Sequence, residues 1–149
     1  MSPKDLTRQH LNEKKMMQIA SVSGDQPWIC TVYFVADDQQ NLYWLSFPLR
    51  RHSQEIEKNS KIAIAVPVEF DQPVIGIQSE GNAVSVNDSK VIKNIMKLYI
   101  DKYGQGKDFY DNFVAGKNQH VLYKFTPESF VLFDEKNFSG NPRQIWKIL

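Results

Sequence analysis

The chain has 149 residues, 42% of them hydrophobic and 23% charged, with 18 basic side chains against 17 acidic ones and a formal net charge of +1. That balance gives no bulk pull toward nucleic acid or an anionic membrane, and the length fits a single domain, residues 1–149, with a core of its own. Cys30 is the only cysteine, which excludes an intrachain disulfide and a cysteine metal cluster. The opening segment MSPKDLTRQHLNEKK lacks the apolar stretch of a signal peptide, and no apolar run approaches a membrane span, so the expected address is cytoplasmic.

Leu6 to Met17 reads as a short helix with Leu6, His10, Lys14 and Met17 on one side. A first strand follows, Gln18 to Ser23, and Gly24-Asp25-Gln26-Pro27 carries turn chemistry. Trp28 to Ala36, rich in β-branched and aromatic residues, reads as a buried strand. The polar turn Asp37 to Asn41 joins it to Leu42–Ser46 in an expected hairpin, which Pro48 ends. Ser53 to Lys58 supports one or two helical turns, with Ser53 as the expected N-cap. In the next strand, Lys61 to Val68, apolar residues follow one another without alternation, which predicts burial on both faces.

Val74 to Val86 is a strand-like run of thirteen residues without proline. Fully extended it would span about 44 Å, roughly twice a usual strand. It must bend to stay with a small domain, and Gly76 and Gly81 are where a bend or bulge is expected. Long bent strands of this kind build barrels. Asn87-Asp88-Ser89 then offers N-caps for a helix to Tyr103, with Val91, Ile92, Ile95, Met96, Leu98 and Tyr99 as its apolar stripe and Gly104 as its C-cap. Gly104 to Asn118 reads as a polar loop anchored by Phe109, Tyr110 and Phe113. Three strands close the chain, about His120–Thr126, Ser129–Phe133 and Gln144–Ile148. The predicted architecture is a mainly β barrel with two or three helices.

Much chemistry is missing. The histidines His10, His52 and His120 have no metal-ligand spacing, and neither a nucleophile elbow nor a P-loop is present. Gly104-Gln105-Gly106-Lys107 lacks the strand and helix a phosphate loop needs. Cys30 among apolar neighbours reads as an inert thiol. Lys90, Lys93 and Lys97 on one helix face read as a solvated surface rather than a nucleic-acid site.

Leu42 to Ser60, LYWLSFPLRRHSQEIEKNS, holds the candidate site. A strand ends in Ser46; a turn, two arginines and a histidine follow; then a helix starts. Guanidinium groups beside the free N–H groups of a helix start can bind phosphate. The alternative is a surface turn whose arginines pair with Glu55 and Glu57.

This segment resembles the flavin-phosphate segment of the pyridoxamine 5′-phosphate oxidases. Ser46 occupies that family's Thr place, Arg51 its Arg place and His52 its Lys place, and Asn59-Ser60 stands where Asn-Pro would be. The strand Lys61–Val68 is similar to the family's valine-rich strand, and VIGIQSEGNAVSV to its strand ending in an acidic-Gly pair, here Glu80-Gly81. A small bacterial branch of the superfamily is closer still, with its Arg-His-Ser segment, Gly-x-Gln strand and an end like ESFVLFDEKNFSGNPRQIWKIL. The chain departs from the vitamin-making oxidases in having no basic residue between Lys15 and Arg50. Their C-terminal Trp and Arg segment is also not recognisable, so their own reaction is not expected.

The resemblance implies an FMN-binding split barrel and a homodimer with the flavin in a cleft between protomers. It implies that Arg51, His52 and Arg50 hold the phosphate, that Ser46 and nearby backbone groups bond the ribityl chain or the ring edge, and that Ser53 is also among the cofactor-binding residues. Gln78 is either a hydrogen-bonding partner of the ring or a rim residue. Trp44 and Trp146 either stack on the ligand or pack in the core or dimer. The implied activity is a flavin-dependent oxidoreductase on a small substrate. The alternatives are a flavin, deazaflavin or haem carrier without turnover, or a ligand-free dimeric barrel.

Overall fold

The computed structural model describes residues 1–148. Eight strands form one antiparallel sheet: β1 (Met16–Ser23), β2 (Gln26–Tyr33), β3 (Val35–Ala36), β4 (Leu42–Ser46), β5 (Lys61–Glu69), β6 (Ile75–Ser85), β7 (Val121–Asp134) and β8 (Arg143–Lys147). Their order is β2-β1-β5-β6-β7-β4-β3, and β8 pairs with β7. The two end strands, β2 and β3, are consecutive in the chain and separated by Phe34 alone. The sheet therefore curls until its ends meet at that fully buried residue. Beside it β2 and β4 face each other without pairing, which leaves an open seam. This is the split-barrel fold.

Sequence chemistry accounts for the joints. Gly24 takes a φ of 61° in the tight turn between β1 and β2. The four helices are α1 (Pro3–Glu13), α2 (Arg51–Lys58), α3 (Ser89–Tyr103) and α4 (Lys107–Val114). α1 opens on a capping box between Ser2 and Asp5. α3 opens on Asp88, whose side chain accepts from the amides of Lys90 and Val91, and closes on Gly104 in the left-handed conformation, φ 65°. The barrel interior holds Met17, Ile19, Phe34, Leu42, Trp44, Val66 and Phe125, all fully buried. Ile95 and Met96 of α3 and Phe113 of α4 cover a second cluster with Val35 and Leu122. None of these helices is long and apolar enough to cross a membrane.

Several expectations require correction. The first helix ends at Glu13, and Met17 belongs to β1. Trp28 to Ala36 is not one buried strand. It breaks at Phe34, only Val35 and Ala36 pair with β4, and β2 is an edge strand with Trp28, Ile29 and Tyr33 42%, 63% and 51% exposed. β-Branched and aromatic residues mark a strand but do not say whether both its faces are covered. β5 is buried on one face only: Ile62, Ile64, Val66 and Val68 point inward, while Ala63 and Ala65 lie on the outward face. The supposed loop after Gly104 contains α4.

The expected strands around Pro127 are one 14-residue strand, β7. Pro127 sits opposite Gly81, where the β6–β7 register shifts, and a bulge tolerates the missing N–H. Of the two glycines expected to bend β6, Gly81 sits at its register shift with β7. A Cβ there would lie 2.1 Å from the Thr126 carbonyl oxygen, so the backbones approach as only glycine permits. Gly76 lies opposite Pro67, at the edge of the β5–β6 irregularity.

Candidate functional site

β4 delivers Ser46 to the seam, and the chain turns at Phe47 to Arg50, where the Arg50 amide donates to the Phe47 carbonyl at 3.1 Å. α2 starts immediately. Arg50 is its N-cap residue, not Ser53 as expected, and no side chain caps it. The first-turn amides of the helix therefore remain available to a ligand. His52, in that turn, lies 2.8 Å through Nε2 from the Ser46 hydroxyl. Both residues are buried. Burial, then the Arg50 charge, hold the imidazole below the usual histidine range, against the opposing pull of Glu55. The Arg50 guanidinium lies 5.4 Å from the centre of the Phe47 ring.

These groups line a cleft of about 390 Å³ in the seam, within the size range of small-molecule sites. Thr31, Val32 and Tyr33 of edge strand β2 form one wall. Tyr99 of α3 and Phe109 of α4 close another, their rings stacked at 5.9 Å. His120 completes the cleft. The pairing of Ser46 with Val121 sets it beside Phe47, and their rings stack at 4.0 Å. Nδ1 of His120 is 2.8 Å from Asn118 Oδ1, which holds the ring in place. The cleft thus offers one guanidinium, two imidazoles, the hydroxyls of Ser46, Thr31, Tyr33 and Tyr99, and an uncapped helix start among aromatic walls.

Of the sequence-predicted residues, Ser46, Arg50 and His52 converge. Arg51 faces elsewhere: its Nε donates to Glu55 Oε2 at 2.9 Å, and its guanidinium lies 4.1 Å from the Trp28 ring centre. The alternative ion pair is thus present with Glu55. Glu55 also accepts from the Ser21 hydroxyl at 2.7 Å, and these hydrogen bonds hold its carboxyl below the usual range. Ser53 is buried inside α2, and its hydroxyl has no partner. Trp44 is fully buried and stacked on Tyr123 at 5.6 Å. Trp146 packs on Phe130, with Lys4 and Arg8 each 5.4 Å over its ring.

Gln78 stands on the outer face of the sheet, paired across strands with Ala65 and Val131. There it lines a separate groove of about 390 Å³ whose floor includes Ala20 and Ala63. Cys30 is half-buried, and desolvation pushes its thiol up to about 11, consistent with an inert group. Among the described residues no three His, Cys, Asp or Glu side chains converge as a metal site.

Sequence reasoning missed Phe47, Tyr99, Phe109 and His120 as members of the site. A lone histidine carries no spacing signal, and its place beside Phe47 follows only from the β4–β7 register.

Residues 3–133 match the pyridoxamine 5′-phosphate oxidase family. No curated protein matches the sequence. Among solved structures, the chain is similar to a conserved hypothetical protein from Mycobacterium tuberculosis, at 13% identity and a TM-score of 0.78, covering 93% of this chain and 88% of that one. It is similar to General Stress Protein 26 from Bacillus anthracis, at 17% identity and a TM-score of 0.69, covering 99% of each chain. It is also similar to an FAD-binding protein from Mesorhizobium loti, at 18% identity and a TM-score of 0.63, covering 87% of this chain and 92% of that one. At these identities the likeness is one of fold.

Proposed function

The chain belongs to the pyridoxamine 5′-phosphate oxidase family, and from that premise we propose that it binds FMN in the seam cleft and acts, as a homodimer, as a flavin-dependent oxidoreductase on a small substrate. The observation that carries this reading is the convergence of Arg50, His52, Ser46 and the uncapped start of α2 in one cleft. Those donors fit a phosphate monoester. The flat aromatic walls, and the row of β2 backbone groups left without a partner strand, fit a planar ring with polar edges. That the solved relative from Mesorhizobium loti is an FAD-binding protein also supports a flavin.

The bound flavin would supply the hydride chemistry. The protein's part is to hold and to exclude water. Arg50, His52, Ser46 and the α2 amides are the groups that would hold the flavin: Arg50 would neutralise the phosphate, the α2 amides and His52 would orient it, and Ser46 would bond the ribityl chain. Tyr99, Phe109 and the Phe47–His120 pair wall the ring and its substrate from solvent. β2 carries no basic residue, so the cleft lacks the cationic strand of the vitamin-making oxidases, and their reaction is not assigned here.

The homodimer rests on the outer sheet face. Ala20, Ala63 and Ala65 lie side by side there, with Ile29 and Ile145 63% and 52% exposed. Small, apolar residues suit close packing of a second sheet, and Gln78 would then face the partner.

Titration of FMN into the protein, followed by flavin fluorescence, tests the ligand. Quenching at micromolar protein is expected, and Arg50→Ala should weaken binding by about 1.5–3 kcal/mol, the scale of a hydrogen bond to a charged group. A colourless protein that leaves FMN fluorescence unchanged would overturn the reading.

A further inference from the structure

We infer that His52 makes this site's hold on a flavin phosphate proton-coupled, so that one proton is taken up and shared between imidazole and phosphate when the phosphorylated flavin binds. The inference rests on the FMN reading and adds to it how the site is regulated and how it tells FMN from riboflavin.

The geometry carries it. His52 is buried at the start of α2, beside the uncapped amides where a phosphate would sit. Its Nε2 is committed to the Ser46 hydroxyl at 2.8 Å. Among the described residues Nδ1 has no hydrogen-bond partner, and it is not sealed from solvent. A neutral imidazole so placed has one nitrogen for Ser46 and one for the ligand, and only the imidazolium can donate from both. A lysine here would stay charged across the physiological range; this chain places there the one side chain that titrates within it.

The groups facing His52 leave that titration to the ligand. On its own helix are Arg50, whose charge opposes protonation, and Glu55, which favours it. The oxygens of Glu55 are already engaged by Arg51 and Ser21. Across the cleft stand His120 before β7, Tyr33 on β2 and Tyr99 on α3, with no carboxylate among the cleft-lining residues. Burial further keeps His52 neutral in the empty site near pH 7.

A phosphate monoester loses its second proton near pH 6, and burial holds His52 below the usual histidine range. Above pH 7 the separated partners carry no shared proton. Binding brings a dianion against a neutral buried imidazole, and one proton from solvent converts that contact into a charge-assisted hydrogen bond. Toward pH 5 the pair holds two protons, and the phosphate has lost one of its charges. The preference for FMN over riboflavin therefore peaks at or below about pH 6 and declines on both sides.

The test measures FMN and riboflavin dissociation constants from pH 5 to 8.5 for the wild type, His52→Lys and His52→Gln. In the wild type the FMN-to-riboflavin preference should fall about tenfold from its peak to pH 8.5, the low end of what a hydrogen bond to a charged group supplies. His52→Lys should hold its preference to the alkaline end. His52→Gln should show a low preference that no longer peaks. Calorimetry of the wild type at pH 7.5, in two buffers of different ionisation enthalpy, needs no variant. It should show net proton uptake for FMN and none for riboflavin. A flat wild-type preference, an unchanged pH profile in His52→Gln, or FMN binding without proton uptake would each overturn the inference while leaving FMN binding intact. Failure of both flavins to bind at every pH removes the FMN reading itself, and this inference with it.

Discussion

Two adjacent arginines do different work. Arg50, ahead of α2, lines the cleft, whereas Arg51, one residue on, is turned to Trp28 and Glu55. Arg51→Ala should cost about 1 kcal/mol of stability, the sum of a partly exposed ion pair and a cation–π contact, measured by urea unfolding. Its effect on the FMN dissociation constant should be much smaller than that of Arg50→Ala. Lys102 offers a pH test at the same scale. Its ammonium lies 4.3 Å over the Phe34 ring and donates to the Leu11 carbonyl at 3.3 Å. Burial, helped by Lys15, pushes it down to about 8 from 10.5. Between those values the unfolded chain binds more protons than the folded one, so this group adds stability as pH rises. The buried phenols of Tyr43 and Tyr103, pushed up, act with the opposite sign above pH 10, where the unfolded chain loses their protons first. From pH 8 to 9.5 the wild type should gain stability relative to Lys102→Met; equal slopes in chemical denaturation would refute this.

Element ends and joints decide how the pieces meet. Asp88 caps α3 through two amides, so Asp88→Ala should cost about 1 kcal/mol in thermal or urea unfolding. At the β6–β7 bulge, a methyl group on Gly81 would meet the Thr126 carbonyl, the Phe125 ring and Pro127 Cα. Two of those three are backbone and cannot step aside. Gly81→Ala should therefore destabilise by about 3 kcal/mol, the upper end for overpacking. α2 is docked to β1 by the buried Glu55–Ser21 hydrogen bond. Because the Glu55 carboxyl titrates below its ordinary value, its contribution is present above about pH 4.5 and is lost as pH falls through the lowered value. The stability gap between wild type and Glu55→Gln should close on acidification.

At the scale of the molecule, the proposed function uses two surfaces of the curled sheet. Its seam, where β2 and β4 fail to pair, makes the cleft; its outer alanine-rich face is where we place the partner. Ala65→Arg should give a monomer in sedimentation, against a wild-type dimer, with folding intact by circular dichroism. A monomeric wild type would remove the dimer from the proposal. The seam arises because β2 and β3 are the ends of the sheet and neighbours in the chain, the alanine face from the outward residues of β1 and β5 in register.

How much of this was legible in the sequence depended on the range of the forces involved. The strand run Val74–Val86, the bend at Gly81, the α3 caps Asp88 and Gly104 and the Ser46-to-His52 segment were readable, because alternation, backbone permissiveness and capping act over a few residues. The exposure of β2, the outward alanines of β5 and the union of β7 across Pro127 were not. Which face a strand buries, and whether a bulge excuses a proline, depends on partners distant in sequence. The site divides the same way. From the sequence Ser46, Arg50, Arg51, His52 and Ser53 formed one group, and of these Ser46, Arg50 and His52 line the cleft. Turning Arg51 to Trp28, bringing His120 against Phe47 and setting Gln78 in a separate groove, on the outer face it shares with Thr31 of the cleft wall, took the β4–β7, β1–β2 and β5–β6 registers, which exist only once the chain has folded.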